Sequence, residues 1–168
     1  AGADAQAPIL RPGPLPALGR SVATSDDTTA LVLNPANLAF MPAAELRWSS
    51  IYLNENARVP WQGHAIALGF PLPLVPLATG LRFDMVDPPA GAATLAPYPP
   101  AGSLTRDRFA TGNYQWLTWG LALGSSDTAA LGIGYQHSYS RVPQANGIGA
   151  WTVGASWRPF DQLALSGV

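Results

Sequence analysis

The stretch that indicates the fold most clearly covers residues 77–85 and reads LATGLRFDM. Large or β-branched residues occupy every odd position, and the even positions hold Ala78, Gly80, Arg82 and Asp84. A period of two places alternate side chains on opposite faces of a β-strand. The stretch therefore predicts a strand with one apolar face and one face of small or polar residues.

The same alternation recurs along the chain after Pro42. It is found at residues 44–53, 63–72, 114–124, 129–139 and 150–157, and a last strand opens at Leu163 and Leu165. About seven strands result, most of them close to the roughly 9–11 residues that a tilted transmembrane strand needs. We therefore expect an all-β fold, an antiparallel transmembrane β-barrel whose strands lie in residues 43–168. A soluble sandwich or a lipocalin-like barrel has the same period and stays open as an alternative.

The connections between the expected strands alternate in length. Short connections fall at residues 73–76, 125–128 and 158–162, and long ones at residues 54–62, 86–113 and 140–149. Outer-membrane barrels have tight turns at their periplasmic end and long loops at their extracellular end. The alternation therefore favours a barrel in the bacterial outer membrane, with the lipid bilayer as its surroundings.

The composition excludes several classes of function. Charged residues make up 11% of the chain, the formal net charge is -1, and all nine basic residues are Arg, so no basic surface is expected for nucleic acid. The chain has no Cys and two His, and it lacks nucleophile-elbow, Walker A and dinucleotide-binding motifs. We expect no catalytic residue, metal or cofactor in these residues.

The first 42 residues differ from the rest. Prolines at positions 8, 12, 14 and 16 exclude a helix interior or a central strand there. Asn34-Pro35 then ends any short helix that precedes it. We expect residues 1–42 to form a Pro-rich N-terminal arm and an Asn-Pro-Ala turn in front of the first strand.

Residues 26–39 read DDTTALVLNPANLA and resemble the segment that precedes the first strand in FadL/TodX-type outer-membrane transport barrels. Asn34, Pro35, Ala36 and Leu38 match that family's pattern, and Asn37 stands where Gly is commoner. PorV-like outer-membrane proteins of secretion systems open similarly. The resemblance covers about a dozen residues, and the rest of the chain is similar in its alternation alone.

The resemblance implies a barrel of about fourteen strands with an N-terminal hatch folded inside it, acting as a channel or transporter for hydrophobic small molecules. This chain would then be the front part of a longer one. Two alternatives assign it to membrane anchoring, either as a PorV-like partner of a secretion machine or as the barrel of a signal-peptide-peptidase-like protease. The hatch turn, Asn34-Pro35-Ala36, is expected inside the barrel mouth against the wall near the first strand.

Two groups of side chains are the remaining candidates. The alternation places four charged residues on the face towards the barrel lumen: Glu45, Arg47, Arg82 and Asp84. They would line a substrate path, pin the hatch, or neutralise one another. Four tryptophans near expected strand ends fit an aromatic girdle at the membrane surface, with ordinary core positions as the alternative: Trp61, Trp116, Trp151 and Trp157.

Overall fold

The protein is an all-β chain, as the alternation predicts. The computed structural model describes residues 13–17, 19–52, 62–86, 114–125, 128–140, 146–160 and 163–168. In it, seven antiparallel strands form one sheet that curls into a half-barrel. The strands are β1 (Glu45–Ile51), β2 (Gly63–Pro71), β3 (Leu77–Val86), β4 (Tyr114–Ser125), β5 (Ala129–Ser140), β6 (Gly149–Phe160) and β7 (Leu163–Gly167).

Each strand pairs with the next strand along the chain, so the spatial order is the sequence order. The register puts Leu81 of β3 opposite Leu68 of β2 and Trp119 of β4. Residues 72–76, 126–128 and 161–162 connect strands at one end of the sheet, and residues 52–62, 87–113 and 141–148 at the other. Short and long connections therefore alternate, as the sequence indicates.

The two faces of the sheet differ in chemistry. The convex face carries large apolar side chains, of which Leu46, Leu131 and Val153 expose 75%, 62% and 68% of their surface. The concave face buries Ala65, Ala78 and polar residues of the same strands. No helix in the described part of the chain is long and apolar enough to cross a membrane.

Residues 19–41, here called the inner segment, lie on the concave face. They contain the helix α1 (Ala30–Leu33) and a 3₁₀ helix (Pro35–Phe40), which contact strands from β2 to β6. Apolar side chains of the inner segment form a buried cluster with small residues of the sheet: Ala30, Leu31, Leu38, Met41, Ala67, Ala78 and Ala122. The sheet thus buries its small-residue face against its own N-terminal region.

Asn34 separates the two helices for a local reason. Its backbone is extended, with φ -158 and ψ 104, because a residue before proline is disfavoured in the helical region. Its side-chain oxygen accepts a hydrogen bond from Ala36 N at 3.1 Å, which caps the 3₁₀ helix. Pro35 occupies the first turn, where its missing N–H costs no hydrogen bond.

A second apolar cluster lies near the end of the sheet with the long connections. Leu15, in residues 13–17, is buried there against Ala65, Val86, Tyr114 and Trp116. From here on, the word arm is used for residues 13–17 alone. The arm and the inner segment therefore occupy different parts of the same concave face.

Candidate functional site

The concave face accepts the inner segment because several of its strand positions are glycine. A Cβ atom built on Gly132 would lie 2.3 Å from Ala36 N, and one built on Gly120 would lie 2.8 Å from a methyl group of Leu31. Cβ atoms do not approach other atoms so closely. The missing side chains therefore let the two helices touch the backbone of the sheet.

The Asn34-Pro35-Ala36 turn lies on the concave face, but not where the sequence placed it. The Asn34 carboxamide donates to Ala155 O at 3.3 Å and to Ser156 Oγ at 3.1 Å, both on β6. The expected contact with the wall near the first strand is therefore wrong. Glycines at positions 132 and 154 leave the space for this turn over β5 and β6, whereas β1 carries the long side chains of Glu45 and Arg47.

Ser156 joins the turn to the edge of the sheet. Its hydroxyl group donates to Asn37 Oδ1 and lies 2.7 Å from Ser166 Oγ on β7. Asn37 in turn donates to Val22 O at 2.7 Å. The hydrogen bonds of Asn34 and Ser156 thus hold the inner segment against β6, and Ser166 extends this network to β7.

The charged residues Glu45 and Arg47 bind the inner segment at the opposite side of the sheet. Thr28 N donates to Glu45 Oε2 at 2.8 Å, and Arg47 Nη2 donates to Asp27 Oδ2 at 2.8 Å and to Glu45 Oε1 at 2.6 Å. Partial burial raises the pKa of Asp27, but hydrogen bonds from Thr29 and the Arg47 charge outweigh it, so this pKa is below its ordinary value.

Asp26 makes a matching ion pair with β6. Arg158 Nη1 donates to Asp26 Oδ2 at 2.7 Å, and Arg158 Nη2 donates to Asp26 Oδ1 and to Ala23 O. The guanidinium group also lies 3.9 Å from the ring centroid of Phe40, within the range of cation–π attraction. Adjacent aspartates thus attach one segment to strands on both sides of the half-barrel.

The other predicted pair of charges, Arg82 and Asp84, binds the arm. Both side chains are almost fully buried, and Arg82 Nη2 lies 2.6 Å from Asp84 Oδ1. Leu15 N donates to Asp84 Oδ1 at 3.1 Å, and Arg82 Nη2 donates to Leu15 O at 2.9 Å. The four predicted lumen charges therefore lie on the concave face as two ion pairs, each within one strand, and both pairs also hold the N-terminal region.

The predicted girdle tryptophans do not share one face. Trp151 and Trp157 are exposed on the convex face of β6, and Trp61 lies outside the described residues. Trp116 is 3% exposed, on the concave face beside Leu15, so its assignment to an outward girdle is wrong. The physical reason is the alternation of side chains along β4. Trp116 is two residues from Thr118, so both face the concave side, whereas Leu117 and Trp119 point outward.

Two cavities adjoin these contacts. A cleft of about 310 Å³ lies between the N-terminal region and β1–β3, and Arg20, Arg47 and Arg82 line it together with Leu15 and Ile51. A groove of about 500 Å³ at β5–β7 is lined mainly by apolar groups such as Leu131, Trp157 and Leu165. Both volumes are in the range of small-molecule sites, about 300–1,000 Å³.

Sequence reasoning did not single out Leu15, Asp26, Asn37, Ser156 or Arg158 as site residues. For Ser156 the alternation in β6 signals an inward position, as the alternation in β4 does for Trp116. Nothing in the sequence signals the pairing of Asp26 with Arg158, because it depends on how the segment lies across the sheet.

In the described ranges, no group of three or more His, Asp or Glu side chains could hold a metal ion. No protein-family model matches this chain. Comparison with curated proteins and with solved structures likewise gives no significant match. Any assignment of function therefore depends on the geometry of the sheet and of the N-terminal region.

Proposed function

We propose that this chain forms part of the wall of an outer-membrane β-barrel, a channel or transporter for hydrophobic small molecules, with the inner segment as its hatch. The observation that carries the proposal is the chemistry of the two faces. Large apolar side chains are exposed on the convex face, while every described charged side chain in the strands lies on the concave side or at its edge.

The convex face supports lipid contact. Its exposed residues include Leu46, Leu68, Leu81, Leu123 and Val153, which would be costly to leave in water over so large a patch. Hydrocarbon removes that cost. In a bilayer the edges of β1 and β7 need pairing partners, because lipid offers no hydrogen bonds to free backbone groups. The proposal therefore requires further strands that close the barrel.

The concave face supports a hatch. In a channel wall this face meets the lumen, and here the inner segment covers it from β1 to β6 through ion pairs, hydrogen bonds and buried apolar contacts. The cleft beside Arg47 and Ile51 combines polar and apolar lining. A small molecule with both an apolar and a polar part fits that chemistry.

Spin labelling tests the membrane part of the proposal. The chain has no native Cys, so Leu81→Cys and Leu131→Cys place single labels on the convex face, and Leu74→Cys in the β2–β3 turn is the matched control. In proteoliposomes we expect the strand labels to collide with oxygen and the turn label with a water-soluble nickel complex. The proposal is contradicted if the protein stays folded and monomeric without detergent and all three labels collide with the nickel complex.

Transport needs a separate measurement. Cells that carry the protein should take up the hydrophobic dye N-phenyl-1-naphthylamine faster than cells without it. Equal rates, with the barrel correctly inserted, would contradict transport while leaving the membrane location intact.

The second candidate function is membrane anchoring, either as a secretion-machine partner or as the barrel of a larger enzyme such as a protease. The close contacts of Gly132 and Gly154 with the inner segment favour it, because a segment locked against the wall keeps a barrel closed. Conductance in planar bilayers distinguishes the two. A transporter whose hatch opens should show current that rises when residues 19–41 are deleted, whereas an anchor should show no current until that deletion.

A further inference from the structure

Leu15 occupies a well-formed apolar pocket. Its side chain is 1% exposed and lies in one buried apolar cluster with Ala65, Val86, Tyr114 and Trp116. A leucine in the proline-rich arm is thus buried as deeply as the most buried apolar residues of the sheet. We call this site the Leu15 pocket.

The main chain of Leu15 is bound as specifically as its side chain. Asp84 accepts from the Leu15 N–H, and Arg82 donates to the Leu15 carbonyl oxygen. The carboxylate and guanidinium groups are fixed by their own ion pair and by burial. Contacts to the main chain bind an extended segment of any sequence, and the apolar pocket then selects its side chain, which is how peptide-recognition sites divide these tasks.

The residues on either side suit such a site. Pro14 and Pro16 fix their own φ angles and favour an extended, preorganised chain. Neither has an N–H group, so within residues 14–16 Leu15 carries the single main-chain donor, and Asp84 accepts from it. Binding this segment therefore costs little conformational entropy and leaves no donor of these three residues unpaired.

One further observation separates the arm from the rest of the N-terminal region. The glycine contacts that lock the inner segment involve residues 28–41, and none of the described glycines has an arm atom among its nearest neighbours. The arm is therefore held by the Leu15 pocket and by Arg82 and Asp84, without the close glycine contacts of the inner segment.

We propose that the Leu15 pocket is a peptide-recognition site, which the chain fills with its own Pro14-Leu15-Pro16 and which binds a Pro-Leu-Pro peptide from another molecule when the arm is displaced. The inference goes beyond the proposed function and does not depend on it. The tethered arm acts at an effective concentration of the order of millimolar, so a free peptide at micromolar concentration does not displace it.

The test uses a fluorescein-labelled peptide, Gly-Pro-Leu-Pro-Ala, and the full chain with Leu15→Gly, which empties the pocket. Fluorescence anisotropy should show at least tenfold tighter binding to this variant than to the unaltered chain. A control peptide with Asp in place of its Leu should bind at least tenfold more weakly. Adding Asp84→Asn to the variant should also reduce binding at least tenfold.

A second measurement covers the case in which Leu15→Gly does not fold. With the unaltered chain, the Leu peptide at millimolar concentration should release the arm and speed trypsin cleavage after Arg20, and the Asp peptide should not. Equal binding by the variant and the unaltered chain, or equal effects of the two peptides in the cleavage measurement, overturns the proposal.

Discussion

The carboxamide oxygen of Asn34 lies where a side chain of Gly154 would begin, since a Cβ atom built there would be 2.0 Å away. The same carboxamide donates to the two residues that follow, Ala155 and Ser156. Asn34 can approach β6 so closely because position 154 has no side chain. The hydrogen bonds and the glycine are therefore parts of one contact between the hatch turn and the wall.

Gly154→Ala should disrupt this contact. The added methyl group must push Asn34 away from backbone and hydroxyl acceptors, and overpacking of this kind costs about 1–3 kcal/mol. The free energy of unfolding of the detergent-refolded protein measures the loss. Gly167→Ala is the matched control, because it has no atom within 4 Å of the added Cβ. Equal effects of the two substitutions would contradict the close approach.

Asn34→Ala should weaken the same contact from the other side. It removes two donated hydrogen bonds and the cap on Ala36 N, and leaving such buried groups unpaired costs about 1–3 kcal/mol. Because the turn anchors the inner segment, trypsin cleavage after Arg20 should become faster while the sheet stays intact by circular dichroism. Asn146→Ala, an exposed position that bonds Ser140 N, should leave the cleavage rate unchanged.

Much of the fold could be predicted from the sequence, because a strand with one buried face shows its period directly. The alternation LATGLRFDM gives the correct faces for Arg82 and Asp84, and the lengths of the connections follow the same pattern along the chain. The pairing of β2 with β3, β4 with β5 and β6 with β7 also follows, since short connections join neighbouring strands.

The partners on the concave face could not be predicted in the same way. Asn34 contacts β6, not β1, because the inner segment crosses the whole sheet before the first strand begins, and no local pattern encodes where it crosses. Trp116 is a different case. The alternation around Leu117 places Trp116 on the inward face, but its position near a strand end favours an aromatic girdle. The membrane location, the transport activity and the girdle assignment of Trp61, Trp151 and Trp157 stay predictions.

Asp27 should make the attachment of the inner segment sensitive to acid. The groups that face it are Arg47 and Glu45 on β1, with Arg20 nearby. Its pKa lies below the ordinary value of 3.8 in the folded chain. A lowered pKa means that the ionised carboxylate stabilises the fold fully above the ordinary value, and that this contribution is lost as the pH falls through the folded value.

The difference in unfolding free energy between the unaltered chain and Asp27→Asn should therefore be constant near neutral pH and shrink below about pH 4. Thr29→Val, which removes one hydrogen bond to the carboxylate, should raise the folded-state pKa towards its ordinary value and so reduce the stabilisation that is lost below about pH 4. A difference that does not change with pH would show that the charge of Asp27 contributes nothing to the attachment.

Trp116 and Trp119 on β4 provide a matched pair, since one faces the arm and the other points outward. Trp116→Ala should cost about 3–5 kcal/mol, because it opens a cavity beside Leu15, and the free energy of unfolding in detergent measures this. Trp116→Phe should cost much less, since it keeps most of the ring and removes an N–H that has no partner among the described residues. Trp119→Ala, at a position 38% exposed, should cost less than Trp116→Ala. If Trp116→Phe costs as much as Trp116→Ala, the indole N–H is hydrogen-bonded in solution and the pocket has no unused donor.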